Sequence, residues 1–129
     1  MLFRSHDAVI KDLSNFSTKM AEGGVIVVDD YNDPEYPGIN SGALQFVFEN
    51  PDWVIFAIGQ NKAYLCRRDR AEDYTNGVII FMELYSKFGL QFKPNLRGLG
   101  GRTVLLCCSR EEKDYQTIKE NFTKPVQLG

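Results

Sequence analysis

Asp29 and Asp30 are the residues of this chain whose type and placing best suit chemistry. They follow Val25-Ile26-Val27-Val28, an unbroken β-branched run that predicts a strand buried on both faces. Ligands of open α/β sheets bind beyond the carboxyl ends of strands, which is where the pair falls. Adjacent carboxylates offer the hard oxygens that Mg²⁺ or Ca²⁺ takes as ligands. Neighbours in a strand point to opposite faces, but past the last ladder bond the chain can turn both inward. The same two residues also suit a solvated turn in which one Asp caps the next segment, and at this point both readings stand.

Fewer leads lie elsewhere. Tyr31 to Ile39 (Tyr-Asn-Asp-Pro-Glu-Tyr-Pro-Gly-Ile) is dense in turn formers, and a long aromatic loop directly after the carboxylates suits a binding role. His6, the sole histidine, falls on the first turn of a helix, where it either reaches the site or lies on the surface. Asn61 and Lys62 read as turn formers. Gly98-Leu99-Gly100-Gly101 precedes a strand, whereas a phosphate loop opens a helix, so it reads as a turn. No nucleophile elbow or Walker motif is present.

The elements that must position Asp29 and Asp30 can be laid out in order. His6 to Met20 reads as an amphipathic helix through Val9, Leu13, Phe16 and Met20, stopped by Gly23-Gly24. The strand Val25 to Asp29 follows, then the loop. Asn40 or Ser41 is expected to cap a helix running to about Asn50, closed by Pro51. Trp53 to Ile58 is a second buried strand, Gly59 to Lys62 a turn, and Ala63 to Arg67 a strand antiparallel to the second. The intervening helix should make the first two strands parallel. Val78 to Phe88 reads as a helix, Leu90 to Gly101 as a loop, Thr103 to Cys108 as a strand and Glu111 to Phe122 as a polar helix.

Composition sets the outer bounds. The 129 residues suit one domain with a moderate core. Net charge is -2, against nucleic acid as main partner, because phosphate binding needs a basic excess or stripe. The cluster Arg67, Arg68 and Arg70 is diluted by Asp69, Glu72 and Asp73 and reads as a solvated strand end. Three cysteines do not make a disulfide framework, and the single histidine argues against structural zinc. No apolar run is of membrane-spanning length, so a cytoplasmic location without a membrane partner is expected. Met1 to Ser5 (Met-Leu-Phe-Arg-Ser) reads as the translation of a common sequencing-adapter tail, so these residues are expected to be a non-native leader on a truncated gene.

Gly23-Gly-Val-Ile-Val-Val-Asp-Asp-Tyr31, then Pro37-Gly38-Ile39, then Gly59-Gln-Asn-Lys-Ala63, resembles the C-terminal half of a class I S-adenosylmethionine-dependent methyltransferase. The nearest group contains metal-assisted O-methyltransferases of sugars and small molecules. His6-Asp-Ala-Val-Ile-Lys-Asp-Leu13 resembles the helix after that family's fourth strand, with His6 where the family often has Tyr. The resemblance covers residues 6–68, and residues 69–129 match no pattern.

The fold implied is α/β: a partial Rossmann-like methyltransferase sheet of fifth strand, helix and antiparallel C-terminal hairpin, with an extra α/β C-terminal extension over 69–129. It requires the strand Ala63 to Arg67 to insert between the other two. The activity implied is transfer of a methyl group from S-adenosylmethionine to a hydroxyl of a small-molecule acceptor. Asp29 and Asp30 would be the catalytic residues and hold Mg²⁺ with a third carboxylate from the missing fourth strand. That cation would orient the acceptor hydroxyl and lower its pKa. Tyr31, Asn32, Pro37 and Gly38 would bind the acceptor. The cofactor-cradling half would lie upstream, leaving the fragment inactive with one exposed strand edge, and a homo-oligomer stays open. The alternative is a non-catalytic α/β protein-interaction module.

Overall fold

The computed structural model describes residues 5–87, 95–99 and 102–106. Helix α1 (His6–Ser17) opens on Ser5, whose hydroxyl accepts the Ala8 N–H at 3.2 Å, so a residue assigned to the leader caps the first helix. The helix ends earlier than its apolar spacing suggests. The Ser17 and Thr18 hydroxyls bond back to the carbonyls of Ser14 and Asn15, satisfying its last turn before the glycines are reached.

Strand β1 (Ile26–Val28) leads into turns from Asp29 to Tyr36. Helix α2 (Pro37–Glu49) starts earlier than expected, because Pro37 at its first turn is pre-set for helix and gives up no needed N–H. Asn40 and Ser41 therefore lie inside it. Strands β2 (Trp53–Gly59) and β3 (Lys62–Arg67) form the expected hairpin. A 3₁₀ turn (Arg68–Arg70) then feeds helix α3 (Ala71–Ser86), which begins well before Val78, with Glu72 and Asp73 favourably placed in its first turn. The expected loop over 90–101 contains strand β4 (Asn95–Leu99), paired with β5 (Arg102–Leu106). Gly98 lies within β4. The polar helix expected over 111–122 falls outside the described residues, as do Phe88, Cys107 and Cys108.

The five strands form one mixed sheet in the order β1-β3-β2-β5-β4. β3 lies antiparallel to both β1 and β2, so β1 and β2 run parallel. β5 pairs parallel with β2, so residues on both sides of position 68 share the sheet. One face buries Val28, Trp53, Ile55, Ala63, Leu65 and Val104 beneath α1 and α2; the other packs Val54, Phe56, Cys66 and Leu105 against α3. Between Ile55 and Ala57 the pairing skips Phe56, a bulge that turns Phe56 and Ala57 to the same side.

Strand β1 departs from expectation. Val28 is buried, but Val25 and Val27 are 39% and 51% exposed, since β1 is an edge and its second face lacks a covering layer among the described residues. The arginines are also tied into the fold. Arg67 stacks over the Trp53 ring at 4.9 Å, and Arg68 Nε donates to the Pro51 carbonyl at 2.8 Å.

Two close-packed points yield predictions. A Cβ at Gly42 would stand 2.8 Å from the His6 carbonyl oxygen and 2.9 Å from Val9 Cβ, so Gly42 sets the approach of α1 to α2. Gly42→Ala should therefore destabilise the protein by roughly 1–3 kcal/mol in urea melts, although alanine favours helix. Burial, followed by the nearby Asp69 charge, pushes the Cys66 thiol up to about 11 from its ordinary 9.0. The unfolded thiol ionises first, so its contribution to stability should fall as pH rises from about 9 to about 11, and Cys66→Ser should remove that dependence.

Candidate functional site

Asp29 stands just past the end of β1, and the sheet sets what faces it. Val28 pairs with Ala63, so the next positions outward are Asp29 and Lys62. Lys62 Nζ donates to Asp29 Oδ1 at 2.6 Å, with the side chains 38% and 63% exposed. The Asp30 N–H donates to the same oxygen at 2.9 Å. Asp30 itself turns into the left-handed region at φ 56°, which aspartate tolerates better than most residues.

The turn between β2 and β3 holds Lys62 in this position. Gln60 and Asn61 both have positive φ, 54° and 61°, as a two-residue hairpin turn with the natural strand twist demands. The Asn61 carbonyl accepts the Tyr31 N–H at 3.0 Å, and its side-chain oxygen accepts the Asn32 N–H at 2.7 Å. The turn is thereby bonded to the chain immediately after the carboxylates. Read as plain turn formers, Asn61 and Lys62 are the site neighbours that sequence reasoning missed. The two-residue turn at Gln60-Asn61 fixes only the pairing of Lys62 with Gly59; the β1–β3 register that sets Lys62 across from Asp29 is a long-range pairing with no local signal.

The other expected site residues divide. Tyr31 is a core residue, 3% exposed. Burial raises its phenol above the ordinary value, against the hydrogen bond with Asn40, which pulls the other way. Asn32 is exposed and anchored through its N–H. Pro37 and Gly38 open α2, and the adjoining Ile39 lines a groove with Asp29. This groove, about 730 Å³, runs between α1 and the edge of β1 that no other described strand pairs with, past Val9, Leu13, Phe16 and Val27. The His6 ring instead bonds to α2, through Ser41 Oγ at 2.7 Å and Gln45 Oε1.

The donor set bears on the expected groups. Asp29 and Asp30 supply hard oxygens, but one oxygen of Asp29 already accepts from an ammonium, and among the described residues no three His, Cys, Asp or Glu side chains are grouped. With the Lys62 ammonium on Asp29, these residues do not fit a divalent cation. Nor do the described strands lead into a glycine-rich turn at a helix start that would cradle a nucleoside cofactor. No helix among the described residues is long and apolar enough to cross a membrane.

The anchoring bonds predict unequal effects. Asn61→Ala loses both the side-chain bond and asparagine's tolerance of the left-handed region, and should cost roughly 1–3 kcal/mol in chemical denaturation. Lys62→Met removes only a part-exposed ion pair and should cost no more than about 1 kcal/mol.

No family model, curated protein or solved structure matches this chain.

Proposed function

We propose that residues 6–68 are the acceptor-side half of a class I S-adenosylmethionine-dependent methyltransferase domain acting on a hydroxyl of a sugar or other small metabolite. The observation that carries this reading is the strand order: β3 lies antiparallel between β1 and β2, as the resemblance requires, with Asp29 and Asp30 at the end of β1. On this reading the Rossmann-like sheet continues beyond the open edge of β1, and the elements that cradle the cofactor precede α1.

When bound by the half of the domain that precedes α1, the cofactor would supply an electrophilic methyl group on a sulfonium. This chain's residues bind and orient the acceptor. Asp29 accepts a hydrogen bond from the acceptor hydroxyl. The Asp29–Asn32 turn holds that carboxylate in place, and the groove wall of Val9, Leu13 and Ile39 takes the acceptor's apolar part. Mg²⁺ assistance would further require release of Asp29 from Lys62, and a carboxylate from outside residues 6–68 for binding tighter than millimolar.

A second reading, a protein-interaction module, is favoured by the same open edge, where Phe16, Val25 and Val27 are 59%, 39% and 51% exposed. The two are separated by assaying methyl transfer from methyl-labelled S-adenosylmethionine to a panel of sugar and phenolic hydroxyls. The protein used is the product of the full genomic open reading frame that contains residues 6–129. The methyltransferase reading expects label in an acceptor and a loss of about 10²–10⁴-fold in Asp29→Ala. Absence of transfer across the panel would contradict it and leave the module reading.

A further inference from the structure

Resting on the acceptor-site reading of the end of β1, we propose that the Lys62 ammonium occupies the place of a divalent cation there, so that the site engages its acceptor through an ammonium–carboxylate pair. Three observations converge. Lys62 Nζ lies 2.6 Å from Asp29 Oδ1, on the carboxylate expected to bind metal. The position follows from the fold: Lys62 lies one step beyond the Val28–Ala63 pair, and the preceding residue is bonded to Tyr31 and Asn32 through backbone and side chain. Finally, Asp29, the residue that holds the ammonium, lines the groove along α1 and β1, a space large enough for a small molecule.

The chemistry of the pair suits a hydroxyl. An ammonium has three N–H donors, and the bond to Asp29 uses one. A hydroxyl placed between the two groups donates to the carboxylate and accepts from the ammonium. Developing negative charge on that oxygen is then faced by a fixed positive charge, the service a metal ion would otherwise give. A dication on Asp29 would sit beside a like charge, so it would bind only as Lys62 leaves.

The test is a Mn²⁺ and Mg²⁺ titration of this chain, read by amide NMR signals of residues 28–32 (paramagnetic broadening for Mn²⁺, shift changes for Mg²⁺) in wild type, Lys62→Met and Lys62→Arg. Far-UV circular dichroism checks folding of each. The proposal expects no saturable effect at millimolar metal in wild type or Lys62→Arg, and a localised, saturable effect in Lys62→Met at least about tenfold stronger. Saturable binding in wild type, or no localised effect in Lys62→Met, would overturn it. The readout needs no methyl donor or acceptor, so its outcome is independent of whether methyl transfer is found.

Discussion

Strand β3 is paired antiparallel on both sides, and the geometry around Asp29 depends on that double pairing. β3 is the one hydrogen-bonded neighbour of β1 among the described strands, so β1 takes its register from it. Leu65 and Cys66, both fully buried, point to opposite faces and fasten β3 to the helix pair on one side and to α3 on the other. Truncating a buried leucine of this kind typically costs roughly 2–5 kcal/mol, far more than a part-exposed ion pair contributes. The packing of the sheet thus fixes where Lys62 and Asp29 meet, and the ion pair is its consequence.

The same sheet explains why the site lies at a margin. α1 and α2 cover one face and approach closely at Gly42, while α3 covers the centre of the other. Neither arrangement closes the edge of β1, so the groove follows that edge with largely apolar walls and Asp29 among its lining residues. Polar groups held by a register beside an apolar space are the general make-up of small-molecule sites.

Much of the fold was legible from local patterns. The β-branched and aromatic runs of β1 and β2, the turn at Gln60-Asn61 and the amphipathic spacing of α1 all specify their elements directly. The antiparallel insertion of β3 was reached through the resemblance. What was missed has particular causes. Pro37 outranked Asn40 and Ser41 as a helix start, and the charged stretch before Val78 concealed the first turns of α3. The glycines after Pro94 suggested a loop where β4 finds its partner in β5. The apolar run of β1 implied two buried faces, but burial depends on which elements cover an edge, and composition does not carry that. At the site, Asp29 and Asp30 were visible by type, whereas Lys62 and Asn61 became site neighbours only once register was known.

The central claim is that β3 lies between β1 and β2 and thereby brings Lys62 to Asp29. The most direct test is a set of cross-strand nuclear Overhauser effects in isotopically labelled protein. Contacts from β3 to both neighbours are predicted, Val27 to Tyr64 on one side and Val54 to Cys66 on the other. Contacts from β3 to β2 alone, with β1 paired elsewhere or unpaired, would contradict the account.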